Sequence, residues 1–208
     1  MIIQELKPSK RVEGRWLAVL EDGSILRVGG NEVVSFALYA GKELTEEEAE
    51  ALLDSAQRSG RKEKALALLA RKPQSRKELE RKLKEWEAGE EEAAALCDRM
   101  EELGYLNDAS YAAQVVRYYS AKGYGERKLR DELYRRGIPR DLWQEALEQA
   151  CEPAEAIGAF AAKKLAGKTP DQKELKKVSD ALARRGYHWS DINEALRRYG
   201  AENGDWEN

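Results

Sequence analysis

Residues 102–138 read ELGYLNDASYAAQVVRYYSAKGYGERKLRDELYRRGI, and this stretch decides the fold of the chain. Three glycines punctuate it: Gly104, Gly123 and Gly137. Glycine is favoured just beyond a helix C-terminus because it adopts the left-handed conformation without a Cβ clash. Between the glycines, apolar residues recur at helical spacing, as in Tyr111 with Val115 and Leu129 with Leu133. The stretch therefore predicts a helix end, a tight joint, a full helix, a second joint and a strongly basic helix.

The first joint, GYLND at residues 104–108, is predicted to have a mainly structural role. Tyr105 and Leu106 follow a glycine stop, so we expect both to tuck under the neighbouring helices. Asp108, with Asn107 before it, is placed to accept a hydrogen bond from the free N–H groups of the next helix. With Tyr111 and the three glycines, these residues form the predicted structural motif.

The segments on both sides repeat this pattern. Leu79 and Leu83 match Leu129 and Leu133, at a period of about 50 residues that lies in the range of helical arrays. The RRGI stop at residues 135–138 recurs as RRGY at residues 184–187. We therefore predict a mainly α fold of three tandem three-helix repeats. Each repeat would bury its apolar stripe mainly on its neighbours, in an elongated and curved array.

The only β structure is predicted near the N-terminus. Asp22-Gly23 lies between two apolar runs, at residues 16–20 and 25–28, and such a pair is typical of a tight hairpin turn. Residues 2–6 would add a third strand before a proline. Thr45 and Glu48 form a capping box that begins a helix, which we expect to end near Gly60.

The chain is accordingly divided into five segments. Residues 1–60 hold the β-hairpin and its connecting helix, and residues 61–108, 109–152 and 153–200 hold the three repeats. In the first repeat, a helix at residues 65–69 is expected to stop at Pro73. Residues 201–208 are expected to form a flexible polar tail.

Composition narrows the class of protein. Charged residues make up 36% of the chain although the net charge is only −3, which favours helices with wide solvated faces. No apolar run approaches the roughly 18 to 20 residues of a membrane-spanning helix, and the N-terminus does not resemble a signal peptide. Cys97 and Cys151 lack any paired spacing, so we expect two buried thiols. The predicted protein is cytosolic and monomeric, with no membrane partner.

The sequence does not favour catalysis. Its one histidine, His188, has no cluster of cysteine or aspartate around it, so a structural role is expected and no metal site is assigned. Neither a phosphate-binding GxxxxGK[ST] loop nor a GxGxxG fingerprint is present. We therefore expect no enzymatic activity, no catalytic residue and no cofactor.

The distribution of charge is more informative. Acidic residues concentrate at residues 43–50 and 90–102 and in the tail, whereas basic residues crowd the second and third repeats. Twelve of these basic residues are the candidate binding site: Arg117, Lys122, Arg127, Lys128, Arg130, Arg135, Arg136, Lys173, Lys176, Lys177, Arg184 and Arg185. Each taken singly is explained by an ordinary solvated helix face. The cluster favours a polyanionic partner, either DNA phosphates or an acidic protein face.

Four tyrosines interleave with these charges: Tyr118, Tyr119, Tyr124 and Tyr134. We expect Tyr118 and either Tyr119 or Tyr134 to lie in the core. An exposed tyrosine would serve as an interface anchor, because tyrosine offers a large contact area at small entropic cost.

The chain resembles the bacterial regulatory protein RecX family. The resemblance is carried by GYLND with Tyr111 and Ala112, by GYGERKLRDEL at residues 123–133, and by the RRGI stop. VSFALYAGKELTEEE, at residues 34–48, resembles the hairpin extension of some members. The resemblance implies a non-enzymatic modulator of the RecA recombinase that lies along the RecA–DNA filament. It also implies restraint of strand exchange, of ATP turnover and of the filament's stimulation of SOS-repressor self-cleavage. Weak contacts to DNA phosphates are expected beside the RecA contact.

Two other functions stay open. Short helices joined by glycine-containing turns imitate a helix-turn-helix, and the helix after Gly125 is basic enough to enter a DNA groove. That function is opposed by the tandem repetition and by the lack of Asn or Gln partners for base edges. The other is a scaffold of helical repeats, which would show no salt-sensitive DNA binding.

Overall fold

The computed structural model describes residues 1–166 and 171–203, with side chains to residue 197. Within these residues, three strands come first: β1 (Ile3–Pro8), β2 (Arg15–Leu20) and β3 (Ile25–Gly29). Ten α-helices follow: α1 (Gly30–Ser35), α2 (Glu46–Arg71), α3 (Arg76–Glu85), α4 (Glu90–Glu102), α5 (Asp108–Ala121), α6 (Glu126–Arg135), α7 (Trp143–Leu147), α8 (Pro153–Leu165), α9 (Gln172–Arg184) and α10 (Trp189–Asn203). A short 3-10 helix, Arg140–Leu142, precedes α7. The predicted mainly α fold with a small N-terminal sheet is confirmed.

The N-terminal sheet is antiparallel, with the strand order β1-β2-β3. Gly23 takes a φ of 81° in the turn between β2 and β3, but Asp22 does not have a positive φ. The Leu20 N–H donates to the Ser24 carbonyl at 2.9 Å, so a three-residue loop replaces the tight two-residue turn that the Asp-Gly pair predicts. Alternate residues of β2 point inward, so Ala18 and Leu20 are buried in a core that also contains Leu52 of α2. The predicted hairpin and third strand are therefore both present.

A buried carboxylate ties α1 to α2. Glu32 accepts hydrogen bonds from the Gly29 N–H at 2.9 Å and from the hydroxyls of Ser55 and Ser59. Burial favours the neutral acid, but these hydrogen bonds outweigh burial and lower the pKa of Glu32. The ionised form is thus the one that the fold stabilises.

The prediction that a helix ends near Gly60 is wrong. Thr45 caps α2 as expected, accepting a hydrogen bond from the Glu48 N–H at 3.1 Å. The helix then runs for 26 residues through Gly60 to Arg71, so the separate helix predicted at residues 65–69 is its last part. A glycine inside a helix costs only about 0.5 to 1 kcal/mol. Burial of Ala56 and Ala65 on either side of Gly60 outweighs that cost.

The described residues form two compact units, Met1–Lys72 with Glu80–Tyr105, and Pro73–Leu79 with Leu106–Asn208. The second unit contains two apolar cores. One is built by α5, α6 and α7 around Val116 and Leu133, and the other by α8, α9 and α10 around Ile157 and Leu182. The predicted segment boundaries and the curved array stay predictions, and residues 204–208 of the tail lie outside the described part of the chain.

The glycine stops are confirmed. Gly104, Gly123 and Gly137 follow α4, α5 and α6 with φ values of 74°, 76° and 66°. The cap of α5 differs from the prediction, because Asn107 accepts the hydrogen bond from the Ser110 N–H at 2.8 Å. Asp108 is the first residue of α5, so its carboxylate is free of that role and accepts the Arg76 N–H at 2.8 Å instead.

The residues of the GYLND joint and the tyrosines of α5 differ in their solvent exposure. Leu106 is 3% exposed and Tyr111 is buried, as expected. Tyr105 is 56% exposed, so its predicted packing under the neighbouring helices is wrong. Its N–H closes the end of α4 on the Met100 carbonyl, and Leu106 is the residue that enters the core. Tyr118 is 56% exposed, so its predicted core position is wrong. Val115, Val116 and Tyr119 already occupy the inward face of α5.

Tyr134 is 67% exposed, so Tyr119 is the partly buried member of the predicted pair. The prediction of two buried thiols is correct for Cys97 and wrong for Cys151. Cys97 is buried within α4, whereas Cys151 is exposed between α7 and α8.

Candidate functional site

The end of α9 lies directly on the start of α6. The Gly125 N–H donates to the Arg185 carbonyl at 2.9 Å, and the Arg127 N–H donates to the Gly186 carbonyl at 3.1 Å. The first amides and last carbonyls of a helix have no partner within that helix, so this contact satisfies groups from both helices. A Cβ on Gly125 would lie 2.4 Å from the Tyr187 nitrogen, so only glycine fits there.

The same contact recurs between the end of α6 and the start of α3. The Ser75 hydroxyl donates to the Arg136 carbonyl, and a Cβ on Gly137 would lie 2.5 Å from Cγ of Lys77. The repeated RRG stop therefore has a structural cause: each stop places its glycine against the first turn of a helix in the preceding repeat. We call these two contacts the helix-end junctions.

The junctions engage several of the predicted binding residues. The Arg127 guanidinium donates to the Ala183 carbonyl at 2.9 Å, at the negative end of α9. Arg185 donates to the carbonyls of Lys122 and Gly123 at 3.2 and 3.1 Å, at the end of α5. These two arginines hold helix ends together, which is a structural role that charge counting does not reveal.

Arg136 lies at the centre of a half-buried network. Its guanidinium pairs with buried Glu132 and donates to the Tyr119 hydroxyl at 3.2 Å. Burial opposes its charge, but hydrogen bonds to Tyr119 and Tyr111 outweigh burial and raise the pKa of Arg136. Arg135, beside it, is exposed and also pairs with Glu132. Arg136 is therefore positioned as part of the core of this repeat.

The remaining predicted cations are on the surface. Lys128 and Arg130 of α6 form ion pairs with Asp131 at 3.9 Å and Glu126 at 2.6 Å. Exposed pairs of this kind contribute only about 0 to 1 kcal/mol, so a polyanion can compete for these cations. Arg117 of α5 is exposed and makes no ion pair with another described residue.

Helix α9 carries the most regular set of exposed cations. Lys173, Lys176, Lys177 and Arg184 recur at helical spacing on the side away from buried Leu175, Val178 and Leu182. Only Lys177 pairs with a described carboxylate, that of Glu174. We call these four residues the α9 cationic stripe. Its cations point into solvent from one face of a well-formed helix.

An aromatic and cationic cluster lies at the end of α5. The Lys122 ammonium is 4.0 Å from the ring centroid of exposed Tyr118, and its hydrogen bond to the Tyr118 hydroxyl raises the pKa of Lys122. Arg185 lies 4.7 Å from the ring of Phe160. The sequence interpretation missed Phe160 and the exposure of Tyr118. The i, i+4 spacing of Tyr118 and Lys122 was the available signal.

The described residues contain no group of three or more His, Cys, Asp or Glu side chains placed to hold a metal ion. The Nε2 atom of His188 lies 3.8 Å from the carboxylate of Glu126. Among the described residues, no helix combines the length and the apolar character needed to cross a membrane.

Comparison with known proteins assigns the three repeats. Residues 62–100, 107–147 and 151–196 match the models of the first, second and third three-helix domains of RecX. The Regulatory protein RecX of Ectopseudomonas mendocina is 36% identical over 135 residues, which cover 64% of this chain and 90% of that relative. The chain belongs to the RecX family. The Pseudomonas putida (strain GB-1) relative is 35% identical over 134 residues, covering 64% of this chain and 86% of its own length.

Solved RecX structures share the fold. A crystal structure of regulatory protein RecX superposes with a TM-score of 0.70 at 24% identity, covering 94% of this chain and 98% of that one. RecX from Lactobacillus salivarius gives a TM-score of 0.63 at 21% identity, covering 68% and 96%. In RecX terms, the helix-end junctions connect the third domain to the second and the second to the first.

Proposed function

We propose that this chain is a modulator of the RecA recombinase that binds along the RecA–DNA filament. It acts as an inhibitor that restrains strand exchange, ATP turnover and SOS coprotease activity. Membership of a regulatory protein family supports a regulatory role. The observation that carries the binding surface is the α9 cationic stripe, which presents Lys173, Lys176 and Lys177 on one solvent-facing side. Such a surface fits a polyanionic filament by many modest contacts.

The test is a titration of the full chain into recombinase ATPase and strand-exchange assays. Lys173, Lys176 and Lys177 are replaced together by Glu. Because all three are exposed, we expect the free energy of unfolding to change little, by about 0 to 1 kcal/mol per ion pair removed. Inhibition should weaken about tenfold or more and lose much of its salt dependence, because each phosphate contact releases condensed counterions.

The matched control replaces three exposed lysines of the first unit, Lys62, Lys64 and Lys84, by Glu. It makes the same change in net charge on helices outside the second and third domains. Equal loss of inhibition by both variants would mean that net charge alone matters. It would contradict the proposal that the α9 cationic stripe is the binding surface. A triple change that included Arg127 would be a poorer test, because it would also disturb the junction with α9.

The alternative of a helix-turn-helix regulator is disfavoured by the junction. A recognition helix presents its N-terminal residues to base edges. The first turn of α6 is instead covered by the end of α9, through the Arg185 and Gly186 carbonyls. Binding that preferred one operator-like duplex, with no effect on recombinase activity, would favour the alternative.

A further inference from the structure

The outer face of the N-terminal sheet carries cations on both edge strands. Leu17 of β2 is paired with Lys7 of β1 on one side and with Arg27 of β3 on the other. Residues paired directly across a sheet point to the same face, so these three form one row. Neighbouring strands are about 4.8 Å apart, which places the two cations roughly 10 Å from each other with an aliphatic floor between them.

The turn that connects β1 to β2 adds cations at one end of this row. Lys10 and Arg11 are exposed on it, and its shape is held by the Ser9 hydroxyl, which accepts the N–H groups of Arg11 and Val12 at 3.3 Å each. The Ser9 N–H also donates to the Arg15 carbonyl at 2.8 Å. The turn is therefore ordered by its own hydrogen bonds.

These residues line a cleft of about 480 Å³. Its lining includes five cations, Lys7, Lys10, Arg11, Arg15 and Arg27, and no carboxylate. The whole chain has 39 acidic and 36 basic residues, so a cleft whose charged residues are all basic differs from the composition of the chain as a whole. Lys7 pairs with Glu5 and Arg15 with Glu63, from outside the cleft, whereas the other three cations make no ion pair with a described residue.

We propose that this cleft binds the phosphate backbone of single-stranded DNA. A cleft with cationic walls focuses positive potential along its length, which is how sequence-independent sites track a strand. The roughly 10 Å between the walls admits one sugar-phosphate backbone. A duplex is too wide to enter, because its major groove alone is about 12 Å wide. No aromatic residue lines the cleft, so the contacts are to phosphates and carry no base preference. An acidic peptide is less well matched, because its side chains need separate pockets for recognition.

The experiment measures binding of the full chain to a fluorescent oligo-dT strand and to a random-sequence duplex, without recombinase, over a range of salt concentrations. The variant replaces Lys10, Arg11 and Arg27 together by Glu. Affinity for the single strand should fall at least about fivefold. The slope of log affinity against log salt should become shallower by about 2, because each single-strand phosphate contact contributes about 0.7.

The matched control replaces Lys62, Arg71 and Arg81 by Glu, which are one lysine and two arginines that are exposed in the same unit. It should bind as the parent does. Equal losses in both variants, an unchanged salt slope, or a loss confined to the duplex would overturn the proposal. A Gln version of the cleft variant, which should lose about half as much log affinity, guards against misfolding by charge reversal. The assay contains DNA alone, so its failure leaves the proposed action on the recombinase standing.

Discussion

The helix-end junction between α9 and α6 makes one substitution especially informative, Gly125→Ala. The new Cβ would lie 2.4 Å from the Tyr187 nitrogen and 2.6 Å from the carbonyl carbon and oxygen of Gly186. These are backbone atoms, which cannot rotate away as a side chain can, so the two helix ends must separate. Forcing a methyl group into a packed site costs about 1 to 3 kcal/mol.

The separation also weakens two hydrogen bonds, from the amides of Gly125 and Arg127. Each is worth about 0.5 to 1.5 kcal/mol. We therefore expect Gly125→Ala to lower the free energy of unfolding by about 2 to 6 kcal/mol, the upper value applying if both hydrogen bonds are lost.

Urea unfolding followed by circular dichroism measures the change, and amide hydrogen exchange at Arg127 locates it. The control is Gly158→Ala in α8, where no atom lies within 4 Å of the added Cβ. It should stabilise the chain by about 0.5 to 1 kcal/mol, because glycine inside a helix is unfavourable relative to alanine. If Gly125→Ala were as stable as the parent and the Arg127 amide kept its protection, the junction would not hold these helices together.

Three further predictions concern single side chains. Leu106→Ala should cost about 2 to 5 kcal/mol in urea unfolding, since Leu106 is buried, whereas Tyr105→Ala should stay within about 0.5 kcal/mol. Glu32→Gln should destabilise the N-terminal unit at neutral pH. Because folding lowers the pKa of Glu32, its contribution is complete above the unfolded value of about 4.3 and is lost as pH falls through the folded pKa, so thermal melts of parent and variant should converge in acid. Tyr118→Phe should lower the pKa of Lys122, measured by NMR titration, since the Tyr118 hydroxyl is the main cause of its increase, and an unchanged pKa would contradict that hydrogen bond.

Local signals in the sequence were reliable where the physics is local. The left-handed stops at Gly104, Gly123 and Gly137, the Thr45 cap and the Asp22-Gly23 turn depend on a few consecutive residues, and all are present. Periodicity likewise identified the buried leucines of each repeat. A single glycine in a long helix was misleading at Gly60, because burial of the neighbouring residues outweighs a small local preference.

The role of each cation was decided only by tertiary structure. The basic composition of the second and third domains predicts a binding surface, but it does not distinguish Arg127, Arg136 and Arg185, which bond to helix ends and buried groups, from the exposed α9 cationic stripe. The reason is that the contacts that set these roles join residues distant in sequence: Arg127 bonds to the Ala183 carbonyl, Arg136 to the Tyr119 hydroxyl, and Arg185 to the Lys122 and Gly123 carbonyls. The cationic cleft of the N-terminal sheet likewise depends on tertiary structure. Four of its five cations lie within residues 7–15, but only strand pairing places Arg27 of β3 on the same face as Lys7 of β1.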